Sequence, residues 1–565
     1  MDERANARQD ATTSLKRAGW PIRPVPVHTL LLAAYPILFL FAQNTAEVTL
    51  RDVIPPLGRA VLAAATVGMF AAIVLRDLRR GALAGSALII AWSAYGHAAS
   101  LVESMKVSRD VQLAGWGIFL ALALLAAALL RPRWLARLTV GLNVVALVMV
   151  ALTMVQIVPS EVSALATTAA PRSHGTPHAG DRDIYYLVFD DYGSANSLND
   201  EIGWHNDLPD WLSSQGFYVA PQSHANYVRT SLSLAAVLNL ESLDGVAARM
   251  GRGNGDLGPI HQMLEAPEAG RYLQSRGYRF IQIGSWFAPT KTSQIADENP
   301  QLETETNFEG ILDQTTFGPT LDQLRNLATI PLQDQIHRDS ALFQFRELNR
   351  IEADEAGPKF IYADILIPHE PYVFKPNGDY PSREEQQHRT EAEAALQQLQ
   401  YTNGRIRDLL TKLLSGPEET RPIVVIQSDE GPYPDRYAAD KNHFDWGTAT
   451  PDELEIKYGI LNAMYLPGDA PAGAPALYPT ISGWNTFRLI FDRYFGASYP
   501  MLPDRSYTSA GYLRPYDLTD ITGRLSTLNG GATPAQTRLP PISGPGTGGN
   551  MSNCDSLGPG MHAGC

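Results

Sequence analysis

Five apolar runs occupy the first part of the chain, at about 28–43, 57–75, 82–100, 113–130 and 138–158. They constrain the fold more than any other feature, because most approach the roughly 20 residues that cross a bilayer core. The first is the shortest and carries Pro36, which a bilayer helix tolerates. Loop charges orient the set. Arg4, Arg8, Lys16, Arg17 and Arg23 precede the first run, Arg76, Arg79 and Arg80 follow the second, and Arg131, Arg133 and Arg137 follow the fourth. The alternate loops hold only Arg51 in one and Lys106 with Arg109 in the other. The positive-inside rule therefore predicts five spans, a cytoplasmic N-terminus and an outer location for everything after them. The runs repeat and no small-residue cleavage site stands out, so they do not read as a signal peptide. His97 and Glu103 lie near a span end, where they reach the interface more simply than they relay protons.

At 565 residues the chain is too long for one core. Its domains divide as a basic tail over 1–27, a membrane anchor over 28–158, a flexible Ala/Ser/Pro/Gly linker over 159–182, an outer α/β domain over 183–520 and a disordered Gly/Pro/Ser-rich tail over 521–565. The net charge of −14 argues against a nucleic-acid partner. Both cysteines, Cys554 and Cys565, fall in the tail, so a disulfide framework or thiolate metal site in the body is excluded. His174 and His178, in the linker, read as solvated.

The outer domain alternates strands, expected at 183–189, 278–285, 358–366, 421–428 and 458–466, with helices near 230–240, 265–276 and 384–414. That alternation predicts a mostly parallel central sheet with helices on both faces. Residues 290–345 are polar and read as an irregular surface insertion.

Chemistry gathers at strand ends. Ile184–Phe189 is an apolar run that stops at Asp190, Asp191, Tyr192 and Gly193. Paired acids at the carboxyl end of a buried strand lie where open α/β sheets hold ligands, and they suit hard or borderline divalent cations. They suit a solvated turn equally well. Pro422–Gln427 is followed in the same manner by Ser428, Asp429, Glu430 and Gly431, with His443 beyond. A third strand runs into Pro368, His369, Glu370 and Pro371. Thr230, Ser231 and Ser233 open an apolar helix, where a hydroxyl serves either as an N-cap or beside a bound phosphate.

Taken in order, these segments resemble the sulfatase-like branch of the alkaline phosphatase superfamily. Phe189-Asp190-Asp191-Tyr192-Gly193 resembles its first metal-binding strand end, and Ser428-Asp429-Glu430-Gly431 its Ser-Asp-His-Gly motif. Thr230, with Ser233 three residues on, resembles the threonine nucleophile of lipoteichoic acid synthases and lipid A phosphoethanolamine transferases, which also carry a five-span anchor. The resemblance implies an alkaline-phosphatase-like domain with a divalent metal (Zn, Mn, Mg or Ca). Asp190, Asp191, Asp429, Glu430 and Thr230 would be ligands, Thr230 also the nucleophile, and His369 and His443 would contact substrate. It implies a phospho-group transferase or hydrolase of the cell membrane, acting on a membrane lipid or envelope glycan. Glu430 departs from the family histidine. The Cys/Ser-x-Pro-x-Arg segment of true sulfatases is absent. Two alternatives stand beside this reading: a metal-free envelope-binding relative, and a membrane protein whose outer domain is regulatory.

Overall fold

The computed structural model describes residues 25–44, 48, 50–103, 107–166, 174–178, 180–302, 307–324, 330–352, 357–439, 444–469, 473, 475–511 and 514–526. His443, Cys554, Cys565 and most of the basic N-terminal tail lie outside these residues. The chain forms two compact units. One holds residues up to 45, Leu50–Glu161 and Leu312–Leu327; the other holds Ala46–Thr49, Val162–Ile311 and the remainder from Ala328.

In the first unit the apolar runs form His28–Gln43, Leu50–Leu75, Leu78–Ser93, Tyr95–Glu103, Arg109–Leu129 and Pro132–Ala166. Three of these, Leu50–Leu75, Arg109–Leu129 and the Pro132–Val158 part of the last, are long and apolar enough to cross a membrane. The expected third run is broken at Ala94, which leaves two shorter helices, and the first run forms only 16 residues of helix. Leu62, Phe70, Ile73 and Val155 are each more than two-thirds exposed, an arrangement that suits lipid rather than water. Phe317 enters this unit edge-on against Trp92 and Tyr95.

The second unit is built on a six-stranded mixed sheet: β1 (Ile184–Phe189), β2 (Tyr218–Val219), β3 (Arg279–Ile283), β4 (Lys359–Ile365), β5 (Ile423–Gln427) and β6 (Asn462–Tyr465). The spatial order is β2-β6-β5-β1-β4-β3. The four strands β5, β1, β4 and β3 are mutually parallel, whereas β6 is antiparallel to both β5 and β2. A second ribbon pairs β7 (Tyr507–Ser509) with β8 (Leu518–Asp520). All six residues of β1 are buried. Ile184, Tyr186 and Val188 join one apolar cluster with Tyr362, Val425 and Phe487, while Tyr185, Leu187 and Phe189 join another with Ile361, Ile365 and Leu409. This two-sided burial explains the unbroken apolar run in the sequence, since a strand covered on one face alone would alternate.

Two expectations require correction. Residues 290–345 are not irregular throughout: Leu332–Glu352 is a 21-residue helix whose Ile336, Phe345, Leu348 and Ile351 are buried. Its buried face also holds Gln333, Ser340 and Gln344, and these polar residues obscure the apolar stripe. The pattern also continues past 520, into a short helix Thr522–Ser526 that buries Leu525.

Candidate metal and phosphoryl site

Three adjacent strands bring the polar residues to one edge. β1 leads into Asp190 and Asp191, its neighbour β5 into Ser428, Asp429 and Glu430, and its other neighbour β4 into His369. The backbone ties these ends together. The Asp190 N–H donates to the Ile365 carbonyl (3.1 Å), and the His369 N–H donates to the Asp190 carbonyl (3.2 Å). The Ser428 hydroxyl accepts from the Tyr192 N–H (3.0 Å) and donates to the Glu430 carbonyl (2.6 Å). Asp191 sits in the left-handed region at φ 58°, where a non-glycine residue is strained and is held by its surroundings. Gly431 is required by space: a Cβ there would lie 2.2 Å from the Ile456 carbonyl oxygen.

The result is a dense acidic cluster. One oxygen from each of Asp190, Asp191 and Glu430 lies within 4.8 Å of the other two, and all three residues are buried. Asp429, 4% exposed, joins them. Oδ1 of Asp190, Oδ2 of Asp429 and Oε2 of Glu430 have no hydrogen-bond partner among the described residues. Buried carboxylate oxygens without donors are costly unless a cation meets them. The donor set is all oxygen and anionic, and it suits a divalent cation.

The electrostatics follow from burial. Desolvation pushes Asp190 well above the ordinary carboxylate range, and Asp429, Asp191, Asp364 and Glu430 push it further. Desolvation and the Asp191 charge raise Asp429, against the pull of hydrogen bonds with Asp190 and with the Thr230 hydroxyl. Glu430 is raised well above its usual value by desolvation, and the nearby Lys457 ammonium draws it back.

Thr230 begins the helix Thr230–Leu238. The N-cap is Arg229, which makes no side-chain cap, so the N-cap expected of a hydroxyl here is not Thr230's role. Its neighbour Ser233 turns inward and donates to the Tyr227 carbonyl (2.9 Å), whereas Thr230 is half-buried and reaches Asp429. His369 is 8% exposed. Its Nδ1 donates to the Glu370 carbonyl, which leaves Nε2 facing Asp191 Oδ2 at 3.5 Å. An open pocket of about 840 Å³, its mouth included, begins at Asp191 and His369 and runs between Tyr372, Tyr433 and Glu391.

Sequence reasoning missed two residues of the cluster. Asp364 stands on β4 opposite Val188, fully buried, with Oδ2 accepting from the Thr290 hydroxyl (2.7 Å) and Oδ1 without a partner among the described residues. Desolvation and Asp429 raise it to about 8. A lone acid inside the apolar run of β4 was the available signal. Lys457, on the helix Pro451–Tyr458, is fully buried, and its Nζ lies 2.9 Å from Glu430 Oε1 and 3.4 Å from Asp191 Oδ1. Nothing in its local sequence distinguishes it from a surface lysine.

No protein-family profile matches the chain, and no curated protein does. Solved structures do. The C-terminal periplasmic domain of EcEptC from Escherichia coli is similar at 14% identity and a TM-score of 0.36, over 62% of this chain and 96% of that one. The integral membrane lipooligosaccharide phosphoethanolamine transferase A from Neisseria meningitidis is similar at 12% identity and 0.33, over 78% and 88%. BT1596, a 2-O GAG sulfatase, is similar at 12% and 0.35, over 57% and 71%. The similar structures are phosphoethanolamine transferases and sulfatases. At these identities and TM-scores the likeness is a distant one.

Proposed function

We propose that this protein is a membrane-anchored phospho-group transferase or hydrolase that acts on envelope lipids or glycans through Thr230. In this reading five spans place the N-terminus in the cytoplasm and the domain from residue 183 outside. The observation that carries it is the meeting of the Thr230 hydroxyl with Asp429 beside carboxylate oxygens of Asp190, Asp429 and Glu430 that have no partner among the described residues.

Asp190 and Asp429 would hold a divalent cation, with Thr230, Asp191 and Glu430 as the remaining candidates. When bound, the cation supplies Lewis-acid polarisation of a phosphoryl oxygen and favours the ionised hydroxyl. The residues of the chain account for the rest. Asp429, beside Thr230, would accept a hydrogen bond from the hydroxyl and so aim it. The hydroxyl proton would pass to Asp429. Thr230 Oγ1 forms a bond to phosphorus as the bond to the leaving oxygen breaks, in line, and the released alcohol collects a proton from water. The first-turn N–H groups of Thr230–Leu238 face the charge that gathers on the equatorial oxygens. His369, at the mouth of the pocket, contacts the substrate phosphate. Water, or a lipid or glycan hydroxyl, then attacks the phospho-threonine and restores Thr230.

Head-group profiling of envelope lipids and glycans tests this reading. Cells carrying Thr230→Ala should lack the same phosphorylated species as cells without the gene. A wild-type profile in the Thr230→Ala cells refutes it.

A further inference from the structure

The turn that carries His369 has few means of holding itself in place. Pro368 and Pro371 frame it, and neither has an N–H to donate. The carbonyls of Pro368 and His369 lie inside the protein, where each needs a donor. One distant side chain supplies it. Gln398, on the helix Glu391–Leu413, is fully buried. Its Nε2 donates to the His369 carbonyl (2.7 Å) and the Pro368 carbonyl (3.0 Å), with the Pro371 carbonyl at 3.4 Å. Its Oε1 accepts from the N–H groups of Val373 (2.8 Å) and Phe374 (3.3 Å). A side-chain amide has two N–H donors and two acceptor positions, and all four are used here. The network also fixes which way the amide points, nitrogen toward the carbonyls and oxygen toward the N–H groups.

His369 is therefore gripped from both sides. Its N–H is tied to the Asp190 carbonyl (3.2 Å), and its own carbonyl is tied to Gln398. The ring is turned by the bond from Nδ1 to the Glu370 carbonyl, which directs Nε2 toward Asp191 and the pocket. Ala392, Ala395 and Leu399 of the same helix line that pocket, whereas Gln398 does not. The helix that walls the pocket thus also sets the imidazole at its mouth.

We infer that Gln398 is a positioning residue for phospho-group transfer: its amide fixes the backbone on either side of His369, so that Nε2 meets the substrate phosphate at the mouth of the pocket. This rests on the phospho-group reading above. Gln398 touches no substrate and acts through His369 alone. Loss of its amide leaves buried carbonyls without donors and frees the turn to move. A displacement of about 1 Å at a group that meets the transition state is enough to cost on the order of 100-fold in rate.

The experiment is a double-mutant cycle on the full-length protein in detergent, with bis(p-nitrophenyl) phosphate as the probe and nitrophenolate release as the readout. His369→Ala should lower kcat/KM by roughly 100-fold. Gln398→Met keeps the side-chain volume and removes every polar bond. It should lower kcat/KM by about 10-fold or more, through kcat rather than KM. In the His369→Ala background the same change should alter kcat/KM by less than about twofold, because no imidazole is left to position. An equal loss in both backgrounds makes Gln398 a support of the fold and overturns the inference. Wild-type kinetics in either single variant overturn it too. Circular dichroism checks that each variant is folded. Should Gln398→Met not fold, Gln398→Asn, which draws the amide back by one methylene, carries the same cycle. Hydrogen exchange of the wild type reads the bonds with no substitution at all: the N–H groups of His369, Val373 and Phe374 should exchange slowly, and exchange as fast as in an open loop overturns the inference. Release that Thr230→Ala leaves unchanged sinks the phospho-group reading and this inference with it. Release that depends on Thr230, with equal Gln398→Met losses in both backgrounds, sinks the role of Gln398 alone.

Discussion

Replacing Lys457 alone by methionine is the sharpest probe of how the cluster is held together. The change keeps most of the side-chain volume and removes the ammonium. Glu430, 2% exposed, and Asp191, 8% exposed, then lose the lysine that meets both of them. Burial lowers the affinity of Lys457 for its proton, and Glu430 and Asp191 more than restore it, so the ammonium is held in the fold. Breaking a buried ion pair from one side costs about 3–5 kcal/mol, because the other charge remains in the interior. Loss of the desolvated contact with Tyr433 adds up to about 2 kcal/mol. In a unit as large as the one that holds Lys457, each kcal/mol corresponds to a melting shift of roughly 1–2 °C. Metal-free Lys457→Met protein, followed by tryptophan fluorescence during thermal unfolding in EDTA, should melt on the order of 5 °C or more below wild type. The double variant with Glu430→Gln should recover most of the loss, since removing both partners of a buried pair is often close to neutral. A single variant within about 1 kcal/mol of wild type, a cost ordinary for surface changes, would show that the pair is not charged and refute the reasoning.

Other outcomes follow from the same geometry. Asp364, raised to about 8 in the fold against 3.8 for the free side chain, binds its proton more tightly when folded. Its contribution to stability is therefore complete at low pH and is lost as pH rises from about 4 through 8, with a slope of at most about 1.4 kcal/mol per pH unit. Urea unfolding of metal-free protein at several pH values should show this fall, and Asp364→Asn should flatten it; an unchanged slope in that variant contradicts the assignment. Gly431→Ala forces a methyl to within 2.2 Å of a carbonyl oxygen, and should cost at least the roughly 1–3 kcal/mol of overpacking in a thermal melt. Asp190→Ala should remove the thermal stabilisation that an added divalent cation gives to wild type, and retention of the full shift would place the cation elsewhere.

Much of this arrangement was legible in the sequence, for identifiable reasons. Strands β1, β4 and β5 are covered on both faces, so their apolar runs are continuous, and the acids that follow mark where the sheet stops. Thr230 was legible as the start of an apolar helix. Other features depend on contacts between distant segments. β2 is only two residues long and exists because Tyr218 and Val219 pair with Met464 and Ala463, which no local pattern announces. The reversed direction of β6 is equally a tertiary property. Lys457 meets Asp191 across a separation of 266 residues, and no spacing rule relates them. Asp364 was visible as a charge within an apolar strand, but its place in the cluster depends on the register between β1 and β4, which sets it opposite Val188.

The central claim, that Thr230 carries the phospho-group, is tested most directly by trapping it. Full-length protein in detergent would be incubated with bis(p-nitrophenyl) phosphate, quenched in acid, digested and analysed by peptide mass spectrometry. The account predicts a nitrophenyl-phosphate adduct on Thr230 in wild type and none in Asp190→Asn. Release of nitrophenolate with the adduct on another residue, or undiminished release by Thr230→Ala, would contradict it.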